Sequence, residues 1–147
     1  MQKNPFEIFE IPVSYIIDSK MLHSKFIASQ IKYHPDSTFG DANASLNITI
    51  SYNTLRDDIK RGDAILAVYS VDQDSLILPH DFFEDILLKT EQMLLMDISD
   101  AEKLLQETHD ELTEFKSINE DNIERFAVNF IRYKYIHRAF TNTHDTQ

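Results

Sequence analysis

An all-helical fold is predicted for this chain of 147 residues by three observations. Only two Gly and four Pro are present, too little turn material for many short strands. Apolar residues make up 42% of the chain, with ten Phe and six Tyr, so a packed core is available despite a net charge of −11. Those apolar residues recur at three- and four-residue steps between clear capping and stop signals.

The elements follow in order. A short first helix is expected over Pro5 to Phe9, with Pro near its start, Phe6 and Phe9 three apart, and Pro12 ending it. Asp18 is the expected N-cap of a second helix reaching about Tyr33, in which Leu22, Phe26 and Tyr33 form a buried stripe. Lys25 and Lys32, seven apart, share another face, with Lys20 close by. Pro35 stops the helix by disfavouring helical geometry at the residue before it. A polar loop over Asp36 to Asp41, containing Gly40, leads to a third helix from about Ala42 to Asp57 with Leu46, Ile50 and Leu55 as its apolar positions. Lys60 to Val71 reads as a fourth helix, and residues 72–80 as a linker. The second half reads as three antiparallel helices: about Asp81 to Met96; a helix from Ser99, where Glu102 completes a capping box; and about Asn119 to Phe140. Leu104, Leu105, Leu112 and Phe115 would line the middle helix, and Ile123, Phe126, Phe130 and Tyr133 the last, enough for a small bundle.

Charge is unevenly spread. Residues 81–124 carry fourteen acids against Lys89, Lys103 and Lys116, whereas residues 125–147 carry Arg125, Arg132, Lys134 and Arg138 against Asp145. An acidic field repels phosphate backbones, so no nucleic-acid partner is expected. The absence of Cys removes disulfides and thiolate metal sites and fits a reducing compartment. No apolar run reaches the roughly 20 residues of a membrane span, and the charged start lacks a signal peptide's apolar region. A cytoplasmic protein without a membrane partner is therefore expected.

A helical metal enzyme is disfavoured by spacing. The residues three before the six His are Lys20, Ile31, Ile77, Gln106, Lys134 and Thr141, so Glu-x-x-His never occurs. Neither His-Glu-x-x-His nor a glycine-rich phosphate loop is present, and Gly is too scarce for a nucleophile elbow. No catalytic residue, metal ligand or cofactor is expected.

The tripeptide His34-Pro35-Asp36 is informative because of its place, in the loop between the lysine-bearing helix and the next. This arrangement resembles the J-domain, the module that docks on DnaK-type chaperones and stimulates their ATP hydrolysis. A closer resemblance covers most of the chain. Pro12-x-x-Tyr15-x-x-Asp18-x-x-x-Leu22-x-x-x-Phe26-x-x-x-Gln30-x-x-Tyr33-His34-Pro35-Asp36 resembles the opening of the HscB-type iron–sulfur co-chaperones. Ser51-Tyr52-Asn53-Thr54-Leu55-Arg56 resembles the end of that family's third helix, and Arg61 to Leu66 the start of its fourth. Phe82-Phe83-Glu84-Asp85-Ile86-Leu87-Leu88-Lys89-Thr90-Glu91 is similar to the segment opening its C-terminal bundle, and Tyr133 to Arg138 matches the last helix weakly. Departures are Ser37 where the family has Lys or Arg, a shorter loop after the tripeptide, an expected trimmed bundle, and exchanged polarity at Glu84 and Leu88.

The resemblance implies an all-α protein. A J-domain over 1–71 would join a scaffold-binding three-helix bundle over 81–147 in an L-shape. It implies a chaperone-binding site of His34, Pro35, Asp36, Lys25 and Lys32, facing an HscA/DnaK-type ATPase. It also implies an IscU-type scaffold site of Phe83, Leu87, Leu88, Glu91 and Tyr135. A row such as Phe83, Leu87 and Leu88 is core material in the first instance, so core and surface roles both stand open. The function implied is delivery of the scaffold to the chaperone with stimulation of its ATPase; the alternative is a J-domain adaptor for a different client.

Overall fold

The computed structural model describes residues 2–38 and 40–144, and the chain divides into two compact units after Ser70. Among the described residues the regular elements are helices alone. In the first unit these are α1 (Pro5–Ile8), α2 (Ser19–Tyr33), α3 (Ala42–Arg56) and α4 (Asp58–Val68). A 3-10 turn (Gln73–Ser75) and α5 (Phe82–Leu95), α6 (Ile98–Thr113) and α7 (Ile123–His144) make up the second. No helix among the described residues is long and apolar enough to cross a membrane.

Side-chain caps set most helix starts in the first unit. Asn4 accepts from the Glu7 amide at 2.9 Å, with Pro5 opening α1. Asp18 accepts from the Lys20 and Met21 amides at 2.9 and 3.1 Å, as expected of the cap of α2. Each such cap satisfies a first-turn N–H that has no partner within the helix. The end of α1 differs from expectation. Glu10 adopts a left-handed φ of 54° and the Ile11 amide donates to Phe6 O, so the chain turns before Pro12 can act. Asp57 closes α3 and, by accepting from the Lys60 amide at 2.8 Å, opens α4 two residues ahead of Lys60. Ser70 at φ 53° follows the end of α4, which therefore stops short of Val71.

The core of this unit is built from Phe6, Phe9, Tyr15, Leu22, Ile48, Leu55, Ile65 and Leu66. Leu22 and Leu55 fall inside as expected, whereas Phe26 and Tyr33 are half-buried. Leu46 and Ile50 are exposed, and Ile48, Ser51 and Leu55 are the buried positions of α3. The reason is the seam with α2. Ser45 and Thr49 hydrogen-bond Gln30, and the Tyr52 ring stacks on Phe26 at 4.2 Å, which turns Leu46 and Ile50 outward. Arg61 is buried, and its charge is met on every side. It donates to Tyr15 O at 2.6 Å, Leu55 O at 2.9 Å and the Asp58 carboxylate at 2.7 Å, and lies over the Tyr15 ring at 4.5 Å. The Leu55 bond satisfies a carbonyl in the last turn of α3 that the helix itself leaves open.

In the second unit α7 packs against both α5 and α6. Ile123, Phe126, Phe130, Tyr133 and Ile136 are buried along α7, as their spacing predicts for the first four. Phe126 and Phe130 stack in parallel, and Leu104 and Leu105 pack on the Met93, Ala101 and Ile136 cluster. Arg132 joins three helices, reaching Asp85 at 3.5 Å and Glu111 at 3.7 Å and lying over the Phe82 ring at 5.3 Å.

Three boundaries here depart from the sequence reading. Asp97, not Ser99, caps α6, accepting from the Asp100 amide at 2.9 Å, so Ser99 lies within the helix and no Ser99–Glu102 capping box forms. Phe115 lies beyond the end of α6 and meets Phe126 edge-on at 5.6 Å. Finally, Asn119 and Asn122 hydrogen-bond each other's backbone in a turn, which delays α7 to Ile123. That helix runs on to His144, whose Nε2 lies 3.2 Å from Met93 O.

Ahead of α5, Asp72 accepts from the Ser75 hydroxyl at 2.6 Å and the Asp74 amide at 3.1 Å. These two bonds, the hydroxyl's first, hold its carboxyl below the ordinary range.

Candidate functional site

The tripeptide sits at the tip of the α2–α3 hairpin, and each of its neighbours is tied down. The His34 amide donates the last helical bond of α2, to Gln30 O at 2.8 Å. The Ser37 amide returns to His34 O at 2.8 Å, and the Ser37 hydroxyl to Lys32 O at 2.8 Å. Gly40 donates to Ser37 O at 3.0 Å, and Asp41 to Tyr33 O at 3.1 Å. Asp41 also caps α3, accepting from the Asn43 and Ala44 amides. Below the loop, the Gln30 amide group donates to Thr49 Oγ1 at 2.7 Å and accepts from the Ser45 hydroxyl at 2.7 Å. A half-buried polar clamp of this kind is satisfied at both of its ends and holds the two helices in register.

Within this frame the His34 and Asp36 side chains are 58% and 93% exposed. The Asp36 amide donates to His34 Nδ1 at 3.2 Å, and the Asp36 carboxylate lies 3.6 Å from the same nitrogen. An accepting Nδ1 places the proton of the neutral ring on Nε2. The tip therefore offers an N–H donor and a carboxylate on a braced loop. No nucleophile–base pair is formed at the tripeptide. Lys32 is exposed, 5.1 Å from the Tyr33 ring centroid, and Lys25, half-buried, lies seven residues before it on the same side of α2. No group of three or more His, Cys, Asp or Glu that could hold a metal occurs among the described residues.

The other expected contact residues gather on the second unit. On α5, Phe82, Ile86 and Met93 enter the core, whereas Phe83, Leu87 and Leu88 are 59%, 58% and 55% exposed. Glu91 is exposed on the same helix. Tyr135 of α7, 42% exposed, meets Phe83 edge-on, ring centroids 6.3 Å apart. Core and surface were both open for this row; the packing of Phe82 against α7 puts Phe83 outside. Leu94, Leu95 and Ile98 are also exposed apolar residues, which the sequence reading does not single out. A signal was there, since Leu94 lies seven residues beyond Leu87, on the same side of the helix.

A helical hairpin carrying His-Pro-Asp at its tip, with further short helices and a separate helical bundle, has the architecture of a J-domain followed by a bundle. No family profile matches the chain. Its sequence is 31% identical over 99 residues to the HscB homologue of Haemophilus influenzae, covering 61% of this chain and 55% of that one. It is 28% identical over 115 residues to the HscB homologue of Vibrio cholerae, covering 69% and 67%. The chain thus spans little more than half the length of the first relative. In fold it is similar to chaperone HscB from Vibrio cholerae, with a TM-score of 0.69 at 18% identity over 97% of this chain and 96% of that one. For human co-chaperone HscB the TM-score is 0.66 at 15% identity, over 93% and 78%. The chain resembles the HscB co-chaperones in sequence over part of its length and in fold.

Proposed function

We propose that this protein couples an IscU-type iron–sulfur scaffold to an HscA/DnaK-type chaperone and stimulates the chaperone's ATPase. The observation that carries the reading is the exposed, hydrogen-bonded His34-Pro35-Asp36 loop at the hairpin tip. His34 and Asp36 offer directed polar contacts, Pro35 stiffens the chain between them, and Lys25 and Lys32 steer the hairpin toward an acidic chaperone surface. The stripe of Phe83, Leu87, Leu88 and Tyr135, with Glu91 at its rim, is the scaffold contact. Such a surface has the apolar centre and charged edge of a protein interface. Holding both partners on one chain raises the effective concentration of scaffold at the chaperone, so hydrolysis becomes client-dependent.

Single-turnover ATP hydrolysis by a DnaK-type chaperone, with and without this protein, tests the first half. His34→Gln should fold normally, because the ring is exposed, and lose the stimulation. Wild-type stimulation by that variant would refute the J-domain role. Capture of an IscU-type scaffold, compared with an unrelated client protein, separates the scaffold reading from a general adaptor.

A further inference from the structure

Seven residues, His34 to Gly40, connect the end of α2 to Asp41, the cap of α3. To close so short a loop, the returning chain must pass directly against the departing one. Gly40 is where it does so. A Cβ placed there would lie 2.5 Å from His34 O, 2.6 Å from Pro35 O and 2.8 Å from the Pro35 carbonyl carbon. All three are backbone atoms, so no change of rotamer could relieve the collision. Nor is Gly40 used for its conformational freedom, because its φ is not positive. Space alone excludes a side chain.

We propose that Gly40 is a positioning residue for the His34-Pro35-Asp36 loop, its missing side chain letting the chain brace the peptide units that present His34 and Asp36. What the loop contacts rests on the function proposed above; the brace rests on the geometry of the loop itself. The helices on either side have little freedom to yield. Gln30 clamps α2 to Ser45 and Thr49, and Asp41 is bonded both to Tyr33 O and to the first turn of α3. The tripeptide is the exposed side, held only by bonds within the hairpin tip, so an added methyl group displaces it rather than the helices. Restoring ordinary van der Waals separation requires its carbonyls to retreat by about 1 Å. A shift of that size breaks the 3.2 Å bond from the Asp36 amide to His34 Nδ1, which fixes how the ring is presented.

The experiment compares the full-length wild type with Gly40→Ala and with Thr38→Ala, an exposed neighbour in the same loop. Three readouts are taken: thermal melting, the NMR resonances of the Asp36 amide and the His34 ring nitrogens, and single-turnover ATPase stimulation of a DnaK-type chaperone over a range of co-chaperone concentrations. Gly40→Ala should melt within a few degrees of the wild type, shift the Asp36 and His34 signals, and leave the α2 and α3 amides outside the loop in place. Its stimulation should fall at least about tenfold, as expected when a contact group is misplaced by about 1 Å. Thr38→Ala should match the wild type in all three. Wild-type Asp36 and His34 resonances in Gly40→Ala would overturn the proposal, and so would shifted resonances with undiminished stimulation. Global unfolding of Gly40→Ala would overturn it as well, by making the position one of folding rather than presentation. If the wild type itself fails to stimulate, the proposed function falls, and the resonances alone decide whether Gly40 braces the loop.

Discussion

Phe82 and Phe83 are adjacent, chemically identical and oppositely placed, so truncating each in turn tests the reading of the bundle surface. Phe82 is 0% exposed and Phe83 59% exposed. Phe82→Ala removes a fully buried ring beneath Arg132 and should cost about 3–5 kcal/mol. In a unit of this size each kcal/mol moves the melting temperature by about 4–8 °C, so the bundle should melt at least about 12 °C early. Phe83→Ala removes a ring that buries about two fifths of a side chain of roughly 200 Å², or roughly 80 Å². At about 25 cal/mol per Å² this is at most about 2 kcal/mol, and the better helix propensity of Ala returns about 0.5 kcal/mol. The expected net cost is about 1–1.5 kcal/mol. Binding should show the reverse order, with Phe83→Ala weakening an IscU-type scaffold at least about tenfold, equivalent to about 1.4 kcal/mol, as a central anchor would. Thermal melts and titration calorimetry on the same two variants give both quantities. Equal melting losses for the two would refute the assignment of faces on α5, and unchanged scaffold affinity in Phe83→Ala would refute the contact surface.

Two further predictions follow from the hairpin and from a corrected cap. Lys25→Glu combined with Lys32→Glu should weaken docking on a DnaK-type chaperone, and wild-type affinity should fall as salt rises, since exposed charges are screened over about 8–10 Å; affinity that is flat from low to high salt would remove steering by this face. At the start of α6, Asp97→Ala should lower stability by about 1 kcal/mol by leaving the Asp100 amide without its acceptor, while Ser99→Ala should change it by less than about 0.5 kcal/mol, both read from urea melts.

What the sequence determined by itself is whatever acts over a few residues. The Asp18 cap, the stop at Pro35, the order of the helices and the placing of His34-Pro35-Asp36 between two of them were all legible, because caps and prolines work within one helical turn. The stripe along α7 was legible for a related reason: Ile123, Phe126, Phe130 and Tyr133 give that helix one preferred apolar face. Where two faces competed, only the tertiary structure decided. On α5, Phe82, Ile86 and Met93 repeat at steps of four and seven, and so do Phe83, Leu87 and Leu94, one residue out of phase. Periodicity is identical for both rows, and the packing partner alone chooses which enters the core. On α3, Leu46, Ile48 and Ile50 alternate, and the polar seam from Ser45 and Thr49 to Gln30 selects Ile48. Arg61 and Gly40 are the extreme cases. Arg61 is buried because carbonyls 46 and 6 residues away converge on its guanidinium, and Gly40 is confined by peptide units five and six residues back. Such requirements arise from chain segments meeting in space, and they leave no periodic trace in the order of the residues.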